Sequence, residues 1–397
     1  MLKSLFRKSS NVRELARTAS ETDNIESTTT PAQVPATPTL KRRKSDINEL
    51  LPELLNRDDV TFRVIDPGTK ISDLYELDVP FYTVGAKSVT RCKCMQTGKT
   101  YIMKRRGRDS SLAESERVWR SIMSKILRIQ DCPNLVQIHE ILEDEMCFYI
   151  VMEECTGGQL LDYLLNKATM TQRGCKRLVR DILTALAKLH EVGLIHRDIK
   201  PENIMFSNTD YENDETNFLK LIDFDTCEEI GSDKLSISAT TPSRKRRSRR
   251  VIGTLGYIAP ESFNGEYSTA SDMFSVGIIL FILITGDMPF DDSIYHISSK
   301  DHREGSDAAE TGDGNDPLDD IQIVGSPRNK RVVNELKSSR IDWDASPWTQ
   351  IPQARNLCQR LLELDPDERL SSAREALMHP WLASSKSVPA SPIRKTS

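Results

Sequence analysis

One short segment gathers side chains that suit proton transfer and charge neutralisation. It spans residues 194–204, reads LIHRDIKPENI, and holds Asp198, Lys200 and Asn203 within six positions. A carboxylate can accept a proton, an ammonium group can offset negative charge, and side-chain oxygens can bind a divalent cation. A further carboxylate, Asp223, ends an apolar stretch about twenty residues later. Together these residue types favour acid–base chemistry assisted by a metal ion.

Further motifs follow in a fixed order along the chain. They are KLIDFD at 220–225, GTLGYIAPE at 253–261, SDMFSVG at 271–277, DPDER at 365–369 and HPWL at 379–382. With the first segment they form a set of six that resembles the signature motifs of the eukaryotic protein kinases. The resemblance covers residues 75–382 and is most similar to the calcium/calmodulin-dependent kinase group. One such motif would be weak evidence, whereas six in order are specific.

The resemblance implies a bilobal α+β fold. A small antiparallel β-sheet lobe would span residues 75–154, and a larger, mainly helical lobe would span 155–382. The pattern of apolar residues indicates the same division. Runs rich in Val, Ile, Tyr and Phe predict antiparallel strands at 81–84, 101–103 and 148–152. Between residues 177 and 190, five leucine and isoleucine side chains share one helical face, which predicts a helix.

The resemblance also implies an ATP-dependent enzyme that phosphorylates Ser or Thr hydroxyls of protein substrates in signalling. Asp198 would orient the attacking hydroxyl and accept its proton, and Lys200 would offset charge on the transferred phosphoryl group. With a lysine at this position, the segment resembles that of the Ser/Thr-directed kinases rather than that of the Tyr-directed ones. Asn203 and Asp223 would hold Mg²⁺ through oxygen ligands. Lys104, which ends the strand motif TYIMK, would hold the α and β phosphates.

The other nucleotide-binding residues are assigned from the same resemblance. The segment FYIVMEECTGG is similar to the last strand and hinge of a kinase. There Met152 would be the gatekeeper, and the backbone of Glu153 and Cys155 would hydrogen-bond adenine. The remaining nucleotide contacts are assigned to Val84, Gly85, Val89 and Glu202. ATP and Mg²⁺ are therefore the expected cofactors.

Two departures from the family pattern lie in the first lobe. Tyr82 and Val84 stand where the glycine-rich loop usually has glycines, which limits the approach of backbone N–H groups to phosphates. Ile122 or Met123 falls where the family has a helix glutamate. Glu116 lies two turns earlier on the same face as Met123, and is either that glutamate or a solvated surface acid. These departures keep an alternative function open, a pseudokinase or weakly active scaffold.

Three more departures lie in the second lobe. Asp225 replaces the glycine of the metal motif, which removes a flexible hinge. Arg250 stands where the family often has an activating phosphorylation site or an acid, so Arg197 is expected to face another cation. Gln159 replaces a glutamate that often recognises basic substrate residues, which leaves basophilic specificity open. The alternative phosphorylation sites nearby are Thr240, Thr241 and Ser248.

The resemblance assigns structural roles to four further residues. Thr254 would hydrogen-bond the catalytic acid. Glu261 and Arg369 would form a buried ion pair that ties the activation segment to the helical lobe. Asp272 would brace the catalytic loop from below.

Four segments have compositions that favour disorder or mobility over a packed core. Residues 1–74 form a basic, Ser/Thr/Pro-rich tail that is expected to be largely disordered, and residues 383–397 form a second tail. Insertions interrupt the second lobe at 228–250, which ends in a basic run, and at 293–320, which is acidic. The basic, amphipathic start of the chain fits either a mitochondrial presequence or a basic docking segment. The default localisation is the cytoplasm with access to the nucleus.

The overall composition excludes several classes of protein. Lys+Arg 54 against Asp+Glu 59 in 397 residues gives a net charge of −5, which argues against nucleic acid as a partner. Eight cysteines without a CxxC pair suggest neither a zinc finger nor a disulfide framework. The longest apolar run, residues 276–284, is far shorter than the roughly 18–20 residues of a transmembrane segment. No EF-hand loop pattern is present, so EF-hand calcium binding is not expected. The expected partners are protein substrates and an upstream activating kinase.

Overall fold

A computed structural model of the chain describes residues 62–108, 113–166, 170–211, 217–230, 250–295 and 323–383. The described residues divide into two compact units. The first unit comprises residues 62–108 and 139–151, and the second comprises the other described residues. The parts of the predicted tails and insertions that lie outside the described residues are 1–61, 231–249, 296–320 and 384–397.

In the first unit the described residues form a seven-stranded sheet. Its strands are β1 (Arg63–Val64), β2 (Tyr75–Leu77), β3 (Tyr82–Val84), β4 (Lys87–Cys94), β5 (Thr100–Gly107), β6 (Ile138–Glu143) and β7 (Cys147–Met152). The strand order is β1-β6-β7-β5-β4-β2, and β3 also pairs with β4. Strands β2, β3 and β5 run antiparallel to β4, whereas β1 runs parallel to β6. The strands predicted from the sequence correspond to β3, β5 and β7, which confirms them.

The alternation of residues along β4 explains why this strand forms and which face it buries. Ser88, Thr90 and Cys92 are buried, whereas the intervening Arg91 and Lys93 are exposed. Successive side chains of a strand point to opposite faces of the sheet, so one face of β4 meets the core and the other meets solvent. The core cluster of this unit is formed by Ile65, Tyr75, Cys92, Met103, Leu142, Tyr149 and Val151.

The folded unit begins before residue 75, where the sequence placed the start of the lobe. Ile65 is buried in the core cluster, and its N–H donates to the carbonyl of Glu143 at 2.8 Å. The hydroxyl of Tyr75 donates to Glu140, whose carboxylate also lies 3.0 Å from the guanidinium of Arg63. A short helix, α1 (Ile71–Leu74), then leads into β2. Residues 62–74 are therefore ordered parts of this unit.

The second unit is mainly helical. Its α-helices in the described residues are α2 (Ala113–Leu127), α3 (Leu160–Asn166), α4 (Gln172–Glu191), α5 (Thr269–Thr285), α6 (Pro327–Ser338), α7 (Pro352–Leu361), α8 (Ala373–Leu377) and α9 (Pro380–Ala383). Helix α4 contains the helix predicted at 177–190, which is confirmed. It begins after Thr171, whose hydroxyl accepts the N–H of Gly174 at 3.1 Å. The presence of one β-sheet unit and one mainly helical unit confirms the α+β class.

Helix α5 lies at the centre of the second unit's core. Every residue from Ala270 to Ile284 is buried, and the helix packs against α4 and α7. Ser268 caps its first turn, and Gly286 ends it in the left-handed conformation (φ 78°) that favours glycine. Within the ranges that the structure describes, no helix combines the length and the apolar character needed to cross a bilayer.

Two short antiparallel strand pairs position the loops that carry the predicted chemistry. Strand β8 (Leu194–Ile195) pairs with β11 (Glu228–Glu229), and β9 (Ile204–Phe206) pairs with β10 (Leu219–Leu221). Residues 194–204, the predicted catalytic segment, therefore run from β8 to β9 with both ends fixed. The metal motif, residues 223–225, comes shortly after β10, which pairs with β9 at the end of the catalytic segment.

Candidate active site

The catalytic segment and Thr254 of the motif at 253–261 meet at the carboxylate of Asp198. Its Oδ2 lies 3.1 Å from Lys200 Nζ and accepts the amide of Asn203 at 2.9 Å. Its Oδ1 accepts the hydroxyl of Thr254 at 2.8 Å, and that hydroxyl accepts a bond from Lys200 Nζ at 2.7 Å. The structure thus brings together three of the predicted site residues, and it confirms the bond expected from Thr254.

The orientation of Asp198 is fixed by its partners, while the group stays accessible. The side chains of Asp198 and Lys200 are 13% and 20% exposed. A carboxylate that is held by several donors and yet reachable from solvent can take a proton from a positioned hydroxyl. The neighbouring ammonium of Lys200 can stabilise negative charge in the same place.

A buried acid braces the catalytic segment from α5. Asp272 accepts the backbone N–H groups of His196 and Arg197 at 2.9 and 2.8 Å, and its Oδ2 lies 2.9 Å from His190 Nε2. Burial by itself would raise the pKa of Asp272, but these hydrogen bonds hold it below its usual value. Asp272 thus carries the bracing role expected from the sequence.

His196 helps to fix the backbone of the catalytic acid. Complete burial lowers the pKa of His196, so its imidazole is neutral at neutral pH. Its Nδ1 accepts the N–H of Asp198 at 3.3 Å. A neutral ring can act as this acceptor, whereas an imidazolium could not.

The predicted metal ligands lie on adjacent segments. The backbone carbonyl of Asn203 accepts the N–H of Ile222 at 2.9 Å, which places the end of the catalytic segment next to Asp223. Asp223 itself has φ 63°, a conformation that non-glycine residues rarely adopt and that is concentrated at functional sites. Its Oδ1 accepts the N–H of Asp225 at 3.1 Å, so the acid that replaces the usual glycine closes a tight turn.

The side chain of Asn203 suits a hard cation. Its amide nitrogen donates to both the carbonyl and the Oδ2 of Asp198, each at 2.9 Å. Neither hydrogen bond uses the amide oxygen of Asn203, and the Asp223 carboxylate is a second type of hard oxygen ligand. Oxygen ligands of this kind fit Mg²⁺. No group of three or more His, Cys, Asp or Glu residues that could hold a metal occurs among the described residues.

The predicted hinge is held in place by a buried lysine. Glu153 Oε1 lies 2.7 Å from Lys220 Nζ and accepts the N–H of Gln137 at 2.7 Å, while the Glu153 N–H donates to the Gln137 carbonyl at 2.9 Å. Within the described part of the chain, neither the Glu153 carbonyl nor the Cys155 backbone has a hydrogen-bond partner. Burial raises the pKa of the Cys155 thiol to about 12, so it stays neutral. These are the backbone groups that the sequence predicts to hydrogen-bond adenine.

Four predicted nucleotide contacts lie in the sheet of the first unit. Lys104 is buried on β5 directly opposite Val89 of β4, and Val89 is also opposite Tyr82 of β3. Val84 ends β3 and is exposed, and Gly85 follows it with φ 57°, where a side chain would be strained. The structure therefore gathers Val84, Gly85, Val89 and Lys104 around one hairpin.

Two other sequence predictions concern glutamates. Glu202, in the catalytic segment, accepts the side-chain amide of Gln159 through its backbone carbonyl at 3.1 Å. Glu116 lies near the start of α2 and accepts both Nε and Nη2 of Arg120 at 3.0 Å. Ile122 and Met123, which stand at the position counted from the sequence, are buried apolar residues.

The prediction that Arg197 faces another cation was wrong. Arg197 Nη1 lies 2.7 Å from Glu228 Oε2, and its Nε donates to the carbonyl of Thr226 at 2.6 Å. Its guanidinium carbon also lies 5.3 Å from the ring centre of Tyr267. The sequence placed a cation, Arg250, opposite this arginine, whereas the structure supplies an acid. Glu228 was missed because it reads as the acidic start of an insertion.

The expected ion pair between Glu261 and Arg369 is present and buried. Nη1 and Nη2 of Arg369 lie 2.7 and 3.0 Å from the two carboxylate oxygens of Glu261. The arginine side chain is fully buried and the glutamate is 8% exposed. A parallel, two-point pair of this kind is among the stronger polar interactions in proteins.

Comparison with known proteins adds independent findings. The family model described as the protein kinase domain matches residues 85–382. Calcium-dependent protein kinase 22 of Arabidopsis thaliana is 31% identical over 299 residues, covering 74% of this chain and 51% of that protein. MAP kinase-interacting serine/threonine-protein kinase 1 of Xenopus tropicalis is 30% identical over 321 residues, covering 79% and 70%. The chain thus spans about half the length of the first of these relatives.

Proposed function

This chain belongs to the protein kinase family, and we propose that it transfers the γ-phosphoryl group of ATP to Ser or Thr hydroxyls of protein substrates. The observation that carries the proposal is the group of side chains around the Asp198 carboxylate. A cation, Lys200, and two hydrogen-bond donors, Asn203 and Thr254, each lie within 3.1 Å of this proton-accepting carboxylate. These are the parts that phosphoryl transfer requires from the protein.

The proposed reaction assigns a step to each of these residues. The substrate hydroxyl oxygen forms a bond to the γ-phosphorus as the bond from that phosphorus to the leaving oxygen of ADP breaks. Asp198 orients the hydroxyl and takes its proton. Lys200 offsets the charge on the transferred group. Thr254 positions both side chains, because its hydroxyl accepts a hydrogen bond from Lys200 and donates one to Asp198.

Mg²⁺ is the metal that we propose for this site. Bound Mg²⁺ would neutralise phosphate charge and help to align the phosphates for transfer. Asn203 and Asp223 would hold it, because both supply hard oxygen ligands and Asn203 already commits its amide nitrogen to Asp198. The roles of Lys104, Glu153, Cys155 and the other nucleotide contacts remain predictions.

The pseudokinase alternative is not favoured. It rested on the missing glycines at Tyr82 and Val84 and on the unassigned helix glutamate, whereas the relatives are named as kinases. The Arabidopsis relative is also named as calcium-dependent. For this chain we propose activity without EF-hand calcium binding, because its sequence lacks the loop pattern.

The decisive experiment measures transfer of labelled γ-phosphate from ATP to a mixed peptide library. The wild-type chain, Asp198→Asn and a matched control, Asp344→Asn, are compared with Mg²⁺, with Mn²⁺, and with Mg²⁺ plus a calcium chelator. Asp344 is an exposed acid that pairs with Arg355. We expect incorporation by the wild type and the control, in chelator as well, and a loss of about a hundredfold or more in Asp198→Asn.

Two results would refute the proposal. One is absence of incorporation by the wild type with either metal. The other is equal incorporation by the wild type and Asp198→Asn, because the carboxylate would then have no part in the reaction. Incorporation that disappears in chelator would leave the kinase activity standing and overturn the proposal of calcium independence.

A further inference from the structure

We propose that Glu228 and Glu229 of β11 are positioning residues that take the place of an activating phosphate. Glu228 would fix the catalytic segment through Arg197, and Glu229 would fix helix α2. The chain would then be catalytically competent without phosphorylation of its activation segment. This inference rests on the proposed kinase function and concerns the regulation of the same site.

The first observation is that the guanidinium of Arg197 is already satisfied. Its side chain is 10% exposed, and it lies 2.7 Å from Glu228, donates to the Thr226 carbonyl and stacks over the Tyr267 ring. A buried guanidinium with a charge-assisted partner at this distance makes a strong hydrogen bond. The partner comes from the chain itself, so no added anion is needed to neutralise Arg197.

The pairing of β8 with β11 explains why Glu228 reaches Arg197. Glu228 lies opposite Ile195, two residues before Arg197, and Glu229 lies opposite Leu194. The backbone of Arg197 is itself in an uncommon conformation, with φ 70°. Such a conformation persists only when the surroundings hold it, and Glu228 holds the side chain while Asp272 holds the backbone N–H.

The second observation concerns the other acid of the pair. Successive residues of a strand point to opposite sides, so Glu229 faces away from Arg197. Its Oε1 accepts the hydroxyl of Ser121, and its Oε2 lies 3.3 Å from Lys125 Nζ. Ser121 and Lys125 are four residues apart on α2 and share one face of that helix. The two acids therefore connect α2 to the catalytic segment across a single strand.

Charge explains why a phosphate would add little at this place. A phosphate brought to Arg197 would lie beside the Glu228 carboxylate and would be repelled by it. The residue expected at the phosphorylation position is Arg250, which cannot be phosphorylated by a Ser/Thr kinase. The connection from α2 through β11 to Arg197 therefore exists before any phosphorylation. It depends on the side chains of Glu228 and Glu229.

The first test uses the unaltered full chain. The protein is treated with a phosphatase, the absence of phosphate on residues 231–249 is verified by mass spectrometry, and kcat and KM are measured before and after treatment. We expect kcat to change less than about twofold, because Arg197 is already neutralised. A fall in kcat of more than about tenfold would overturn the proposal, since Arg197 would then depend on a phosphate.

The second test uses Glu228→Gln, which keeps the shape and removes the charge. We expect kcat to fall about tenfold or more while KM for ATP changes less than about threefold. Glu375→Gln, which removes one acid of the exposed Arg360 pair, serves as the matched control and should leave kcat unchanged. A Glu228→Gln variant that behaves like this control would contradict the proposal.

A double-mutant cycle tests whether Glu228 acts on kcat through Arg197 or independently of it. If Glu228 acts through Arg197, the Arg197→Gln/Glu228→Gln double variant should be no slower than Arg197→Gln alone. Effects that multiply would instead show that the two residues act independently, which overturns the proposal.

Hydrogen exchange tests the Glu229 link without relying on activity. Exchange in residues 118–127 of α2 should become faster in Glu229→Gln and remain unchanged in Glu375→Gln. If the wild-type chain showed no phosphate transfer in any state, the proposed function would fail, and this exchange experiment would still decide whether the link exists. Unchanged exchange in Glu229→Gln would overturn it.

Discussion

Replacing Glu261 by glutamine should destabilise the second unit more than any comparable surface change. The substitution keeps the size of the side chain and removes its charge. It leaves the fully buried guanidinium of Arg369 without its carboxylate. One new amide N–H would also point toward the donors of Arg369, which adds an unfavourable contact.

The structure sets the expected magnitude. Breaking a buried ion pair by removing one partner costs about 3–5 kcal/mol. Arg369 keeps hydrogen bonds to the carbonyls of Ala270, Glu363 and Leu364, and it still stacks over the Phe274 ring. These contacts favour the lower end of the range, about 3 kcal/mol. At about 2–4 °C per kcal/mol, that corresponds to a fall in Tm of about 6–12 °C.

Thermal and urea unfolding of the full chain would measure the effect. The matched control is again Glu375→Gln, because Glu375 also forms an arginine pair, at 2.9 Å, but is 55% exposed. The control should change the free energy of unfolding by less than about 0.5 kcal/mol. Replacing both Glu261 and Arg369 by apolar residues should recover much of the loss. A Glu261→Gln variant as stable as the control would refute this reasoning.

Three further predictions concern single residues. Burial raises the pKa of the Asp181 carboxyl to about 6. Between about pH 4 and pH 6 the folded protein therefore keeps a proton on Asp181 that the unfolded chain releases. The free energy of unfolding should fall as the pH rises through this range. Urea unfolding at several pH values should show that slope in the wild type and its loss in Asp181→Asn. Thr254→Val should lower kcat about tenfold by freeing Asp198 from its hydroxyl donor, whereas Thr254→Ser should behave as the wild type in the peptide assay. Gly157→Ala should lower Tm, because its Cβ would lie 2.1 Å from a backbone carbonyl oxygen.

The sequence predicted the parts of the site that lie close together in the chain. Asp198, Lys200 and Asn203 come from one segment, so their meeting required only that the segment be held at both ends. Periodicity predicted α4 for a similar reason, since a helix face is a local property. The bond from Thr254 came from the family resemblance, because no local pattern connects it to Asp198.

The sequence did not predict which residues of strands far apart in the chain face each other. The contact between Arg197 and Glu228 depends on which residues of β8 and β11 face each other, and strands of two residues carry no periodic signal. The ordered segment 62–74 was missed because its polar residues, proline and glycine read as a tail. Its single core residue, Ile65, gives no pattern by itself.

The parallel strand β1 has a consequence for handling the protein. It covers the outer side of β6, where unpaired backbone groups would otherwise invite a strand from another molecule. A chain shortened to residue 75, the boundary that the sequence indicates, would uncover this edge and would also remove Ile65 from the core. Such a shortened chain should aggregate, so the choice of the first residue decides whether the isolated protein stays in solution.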